Sequence, residues 1–348
     1  MVKSTLMEKQ DIRDISHQEL RDHLVGAGEK DFRASQIFDW IYQKKAESFT
    51  EMTNLPSALR ESLAENFLFE KPLLLNEYTS RDGTVKFLFQ MKDGERIETV
   101  VIPAKGRVTV CVSSQAGCKF ACGFCASGIG GFKRNLTAGE IVNQILYAKN
   151  RYEAQKISHI VFMGIGEPLD NYENVLKAVR LINSPKGLRL AARHITISTC
   201  GLVPQIQQLA REKIQLELSV SLHGFSDESR KMLMPVGRKY PLKDLIKACR
   251  DYIAATKRQV TFEYILIQGL TCTEKAALDL SRLLKGMICK LNLIPYNKVS
   301  EFNLEPPTKM EVLLFRKRLA ELRIHSTIRI PRGQEVNAAC GQLRQVTS

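Results

Sequence analysis

The sequence predicts an α/β fold: an open, partial parallel barrel of six βα units, with a helical segment before it and a short β meander between them. Three observations carry this. In residues 1–70 the apolar positions repeat with a helical period. Over 72–106 the period drops to two, and turn dipeptides separate the runs. From Val108 onward strand-like and amphipathic stretches alternate, the pattern of parallel strands joined by right-handed crossovers. Six units are too few to close an eight-stranded barrel.

Ser16 and Glu19 make a capping box ahead of Leu20, Leu24 and Val25, and Gly26 and Gly28 end that helix. A second helix runs through QIFDWIYQKK, with Ile37 and Ile41 on one face and Phe38 and Tyr42 beside it. Pro56 opens a third, whose Leu59, Leu63 and Phe67 are spaced by four. Asp82-Gly83 precedes the alternating Val85, Phe87 and Phe89, and Lys92-Asp93-Gly94 precedes the strand IETVVIP. The barrel strands are expected at 108–112, 158–163, 194–199, 216–222, 259–267 and 289–295. Helices at 137–152, opened by Thr137 and Glu140, and at 242–256 lie among the crossovers. A helix over 307–323, a strand over 325–330 and an irregular tail finish the chain. The expected division is a helical domain at 1–71, a β linker at 72–106, and a barrel with its tail at 107–348.

The 348 residues suffice for one large core and a small accessory domain. No stretch of eighteen apolar residues occurs, which argues against a membrane partner. The start, MVKSTLMEKQDIRD, lacks the apolar core of a secretory signal. A cytoplasmic location is therefore expected. A net charge of +14 points to a polyanionic partner, most simply nucleic acid. Lys133, Arg134, Arg189, Arg193, Arg329, Arg332, Arg33, Lys44 and Lys45 are candidate phosphate contacts.

The chemistry is concentrated in CVSSQAGCKFACGFC, residues 111–125. Cys118, Cys122 and Cys125 stand in C-x3-C-x2-C spacing directly after the first barrel strand, where loops of such folds carry active sites. Three close thiolates can hold three irons of a 4Fe–4S cluster and leave a fourth open to a ligand. A structural zinc site, completed by Cys111 or Cys340, is the competing reading. Cys200, Cys249, Cys272 and Cys289 read as small apolar residues. One βα unit later, Gly164-Ile165-Gly166-Glu167-Pro168-Leu169 follows a strand, and its glycines allow close backbone approach to a ligand. Small polar groups also end later strands: Ser198, Ser219, Ser221 with Leu222 and His223, and Asn297.

The cysteine spacing, with Phe124 before Cys125, resembles the radical S-adenosylmethionine superfamily. The segments FRASQIFDWIYQK, CVSSQAGC, GFKRNLTAGEIVNQI, GIGEPLDN, SVSLHG, NLIPYN and NAACGQL, in that order, resemble the RlmN/Cfr family of bacterial RNA methyltransferases. GEPL is closer to the RlmN branch; Cfr-type proteins tend to carry alanine where Pro168 stands. Ile165 departs from the methionine usual in that turn.

The resemblance implies a radical S-adenosylmethionine barrel whose cofactors are a 4Fe–4S cluster, on Cys118, Cys122 and Cys125, and S-adenosylmethionine. Gly166, Glu167, Ser198, Ser221, Leu222, His223 and Asn297 would surround the latter. It implies methylation of adenosine C2 in 23S rRNA and tRNA, with C8 methylation as the Cfr-type alternative. Cys340 would carry the methyl group, Glu98 would act as general base, and Cys111 would release the product by forming a disulfide with Cys340. An electron donor such as flavodoxin and a monomeric state are further expectations. A non-catalytic RNA-binding protein with a zinc site is the alternative of another class.

Overall fold

The computed structural model describes residues 9–152 and 156–344. The chain enters through β1 (Gln10–Asp11), which pairs in parallel with β2 (Phe67–Leu68) across the three helices α1 (His17–Gly26), α2 (Phe32–Tyr42) and α3 (Ser57–Asn66). Ser16 accepts from the Glu19 amide while Glu19 accepts from the Ser16 amide, so the expected capping box is made. Phe67, expected on the third helix, instead caps it and starts β2.

This helical unit is bonded to the barrel. Asp14 accepts the Gly139 amide at 2.5 Å, Asn143 donates to the Glu70 carbonyl at 2.8 Å, and Lys149 donates to the Tyr42 carbonyl at 2.8 Å. Asp11 is buried in the same seam, and burial pushes its carboxyl up to about 6.

The meander forms β3 (Leu73–Thr79), β4 (Val85–Gln90) and β5 (Arg96–Ala104), all antiparallel. It is not a free-standing linker. β5 pairs with β6 (Arg107–Cys111), so the meander forms one side of the main ten-stranded sheet. After β6 comes a hairpin, β7 (Gln115–Gly117) and β8 (Phe132–Asn135), that brackets the cysteine loop. The alternation then runs α4 (Ala138–Arg151), β9 (Ile157–Phe162), α5 (Tyr172–Asn183), β10 (Ile195–Thr199), α6 (Val203–Leu209), β11 (Glu217–Ser221), α7 (Asp227–Leu233), α8 (Leu242–Thr256), β12 (Val260–Leu266), α9 (Glu274–Leu283), β13 (Cys289–Pro295), α10 (Lys309–Glu321) and β14 (Ser326–Ile328).

β6, β9, β10, β11, β12, β13 and β14 are neighbours in that order, and every pair among them is parallel. That is the expected partial barrel of six βα units with a short final strand. No described helix is long and apolar enough to cross a membrane. The main core lies between the helices and the sheet. A second, small cluster of Val100, Cys111, Ile165, Ala338 and Leu343 packs beneath the C-terminal tail.

Candidate active site

The loop after β7 carries Cys118, Cys122 and Cys125 and is fixed by its own backbone. Cys118 donates to the Gly131 carbonyl at 3.1 Å, Cys125 to Cys122 at 3.0 Å, and Gly123 to Leu233, at the end of α7, at 2.9 Å. Gly117 has φ +77, and a Cβ there would stand 1.8 Å from the Gly131 carbonyl oxygen, so this turn needs glycine. The three thiols line one cavity of about 160 Å³ with Gly166, Glu167, Ser198, Ser221, His223 and Cys340. Five of the expected cofactor residues therefore meet the three cysteines.

Burial sets the chemistry of this cavity. Cys118 is pushed up to about 12, and Cys122 and Cys125 are also raised, by desolvation first. Ionising such thiols requires a compensating cationic centre, and an iron–sulfur cluster offers one, so the donor set fits that group. Among the described residues no three Cys, His, Asp or Glu side chains converge as ligands of a single ion do.

Glu167 is buried, and its two oxygens accept the Leu169 amide at 3.0 Å and the Cys200 amide at 2.6 Å. Its carboxylate ties the glycine-rich turn to the end of β10. Gly166 has φ +102, and a Cβ would lie 2.5 Å from the Gln115 Cβ, so only glycine fits. His223 is buried, its Nδ1 accepts the Ile265 amide at 3.0 Å, and its ring stands edge-on to Phe124 at 4.8 Å. Burial and then Arg230 push His223 down to about 3. The imidazole is neutral, and with Nδ1 accepting, its proton sits on Nε2.

Leu222 and Asn297 are not among the residues that line the cysteine cavity, although Asn297 lines the larger cavity that shares Cys340. Leu222 is fully buried in the core, because its neighbours Ser221 and His223 take the cavity side. Asn297 does not line the cysteine cavity; its Nδ2 donates to the Cys340 carbonyl at 3.0 Å and its Oδ1 accepts from Gln334 at 2.9 Å. It holds the tail.

The tail lies directly on the cysteine loop. Ala126 donates to the Gly341 carbonyl at 2.7 Å, and the Ser127 hydroxyl to the Leu343 carbonyl at 2.7 Å. Cys340 thereby reaches the wall shared by the small cavity and a second one of about 640 Å³ inside the barrel. Cys111 is buried in the small cluster under the tail. Desolvation first, then the nearby Cys340, pushes its thiol up to about 12. Both are free thiols, so the disulfide implied by the resemblance is not made in this structure. Glu98 is 1 % exposed; its oxygens accept from Lys86 at 2.7 Å and from the Arg344 amide at 2.9 Å. Burial raises its carboxyl, against Lys86 and Arg344.

Several residues escape a sequence reading. Cys200, read as apolar filler, lines the cysteine cavity and anchors Glu167. Buried Arg230 donates to the Cys200 carbonyl at 2.6 Å. Arg329, read as a phosphate contact, faces both cavities and touches the Met163 sulfur at 3.3 Å. Arg134, also read that way, is committed to Asp93 and, through both terminal nitrogens at 2.7 Å, to Glu140. Arg193 and Arg332 are exposed and line the barrel cavity.

Comparison with known proteins fits this geometry. Residues 10–68 match the family model for the ribosomal RNA large subunit methyltransferase N-terminal domain, and 112–280 match the radical SAM superfamily. Membership of that superfamily brings a 4Fe–4S cluster and S-adenosylmethionine as cofactors. A probable dual-specificity RNA methyltransferase RlmN of Clostridium perfringens (strain 13 / Type A) is 45% identical over 335 residues, 96% of each chain. One from Staphylococcus aureus (strain JH9) is 44% identical, covering 97% of this chain and 93% of that one. The crystal structure of a radical SAM methyltransferase from Sphaerobacter thermophilus superposes with a TM-score of 0.93 at 42% identity, covering 97% of this chain and all of that one. The chain belongs to the RlmN family of dual-specificity radical SAM RNA methyltransferases.

Proposed function

We propose that this protein methylates C2 of adenosine in 23S rRNA and tRNA through a methylated Cys340. One observation supports this above others. The tail places Cys340 in the wall between two cavities, one lined by the three cluster cysteines and one running through the polar interior of the barrel. A thiol so placed can take a carbon from one side and deliver it on the other. The larger cavity has the size of a small-molecule site, and its arginines, Arg193, Arg329 and Arg332, suit a nucleotide flipped out of its stack.

Cys118, Cys122 and Cys125 would hold the cluster; with S-adenosylmethionine bound it supplies one-electron cleavage of a sulfonium. The protein's own part is covalent catalysis. The Cys340 sulfur carries the one-carbon unit as an S-methyl group; one methyl hydrogen atom would pass to the 5′-deoxyadenosyl fragment of the cleaved sulfonium, the carbon would bond to C2, and the adduct's unpaired electron would return to the cluster. Glu98 takes the C2 proton. The Cys111 thiolate attacks the Cys340 sulfur, the carbon–sulfur bond breaks toward adenine, and the carbon takes a proton to become methyl. The sulfurs are left as a disulfide, which a dithiol reductant must reset. Asn297 holds the Cys340 backbone throughout. Residues 1–71 serve as the RNA-gripping accessory domain, and an external electron donor completes the system.

Nucleoside mass spectrometry of 23S rRNA and tRNA treated with the protein tests this. 2-methyladenosine is the expected product; 8-methyladenosine, or no methylated product, would overturn the reading.

A further inference from the structure

A lysine inside the strand VKFLFQ has no place in an apolar core unless it is partnered, because a buried ammonium is costly. Lys86 is 6 % exposed. On β4 it stands opposite Val100, while Leu88 stands opposite Glu98, so Lys86 and Glu98 share one face of the sheet as diagonal neighbours. Its ammonium meets Glu98 Oε1 at 2.7 Å, the Asn337 carbonyl at 3.4 Å, and the face of the Tyr78 ring at 5.3 Å. The second Glu98 oxygen, Oε2, accepts the Arg344 amide at 2.9 Å. Asn337 and Arg344 lie on either side of Cys340 in the tail. One ion pair therefore grips the backbone on both flanks of the residue that carries the one-carbon unit.

We propose that Lys86 is a positioning residue for the reaction: it holds Glu98 as an oriented carboxylate and fixes that carboxylate to the Cys340 tail. The proposal rests on the reading of Glu98 as the general base. A base that must reach a carbon held on Cys340 needs a fixed relation to that sulfur, and the Asn337–Lys86–Glu98–Arg344 chain supplies it. The charged groups facing Glu98 are Lys86 from β4 and Arg344 from the tail. Tyr78 of β3, opposite Lys86, and Cys111 of β6, opposite Val100, are titratable neighbours on that side.

Lys86 opposes the effect of burial on Glu98. A base works when deprotonated, so the rate of product release falls as pH drops through its titration. Without the ammonium, burial prevails, Glu98 holds its proton to higher pH, and the acid limb of the profile moves upward.

The test is the pH dependence of RNA release in single turnovers by cluster-loaded protein with methylated Cys340. Lys86→Met should move the acid limb upward by about one pH unit or more, and Lys86→Arg should return it toward the parent position. A limb that stays in place while the rate falls equally at all pH values would leave Lys86 a packing residue and overturn the proposal. If Lys86→Met does not fold, Lys86→Gln, which keeps a donor for the Asn337 carbonyl but lacks the charge, is read the same way. Glu98→Gln separates the two claims: normal turnover there removes Glu98 as base, whatever the Lys86 variants do.

Discussion

The cysteine loop and the C-terminal tail face the same cavity, but they are held differently. The loop is closed by backbone bonds within residues 118–131 and braced by α7, and Phe124 and Cys125 join the main core. The tail has almost no regular structure beyond a short helical turn at Gln334–Val336. It lies on a separate small cluster and is pinned by bonds from Asn297, Ser127, Lys86 and Glu98. The loop is a rigid holder; the tail is an arm fastened at a few points. Substitutions in the two regions should therefore fail in different ways.

The largest effects separate holder from arm. Cys122→Ala should abolish cluster loading and methylation together, read as loss of bound iron and of brown colour. Cys340→Ala should keep iron, colour and S-adenosylmethionine cleavage, yet lower methylation by at least about a thousandfold, as expected when a covalent carrier is removed. Methylation persisting in Cys340→Ala would collapse the distinction. Next comes Cys111→Ala, which should build up an RNA–protein adduct visible as a slower band on denaturing gels; its absence under turnover would leave Cys111 a core residue of the small cluster.

The contrast also explains what the sequence disclosed. The cysteine triplet, the glycine-rich turn and the strand–helix alternation are local patterns, and local patterns survive in a one-dimensional reading. Gly166 is visible as part of a glycine-rich turn, and the fold supplies its reason, a positive φ and a close approach to Gln115 that leave no room for a side chain. The tail is not legible in this way. Asn297 reads as one more polar group at a strand end, and only the folded chain shows it holding the Cys340 carbonyl. Lys86 falls between the alternating Val85, Phe87 and Phe89, where a solvent-facing lysine would be expected, yet it is buried; its reason is Glu98, two positions off register on the next strand. Leu222 faces the core, and Arg134 meets Asp93 and Glu140, for the same cause. Which face a residue takes, and which acid an arginine meets, are settled by segments distant in sequence.

Smaller changes should loosen the arm and leave the holder intact. Asn297→Ala removes the bond to the Cys340 carbonyl and leaves Gln334 without its partner. Two such bonds are worth ~2 kcal/mol together, so methylation should fall by about tenfold or more with iron content unchanged. A parallel loss of iron would show that Asn297 supports the cluster cavity after all.

The smallest expected effect is at Ser127, where the two regions touch most directly. Its hydroxyl donates to the Leu343 carbonyl at 2.7 Å, while the neighbouring Ala126 amide holds the Gly341 carbonyl at 2.7 Å. Ser127→Ala removes the first bond and keeps the second. One neutral hydrogen bond is worth ~1 kcal/mol, about a fivefold change in an opening equilibrium. Alkylation of Cys340 by iodoacetamide, followed by peptide mass spectrometry, should therefore quicken about fivefold, with Cys111 following because the tail covers its cluster. The same hydroxyl also lies against the Cys125 sulfur and lowers that thiol's raised titration. If the variant loses iron before it exposes Cys340, Ser127 belongs to the holder, and the boundary between the two regions runs through residue 127 itself.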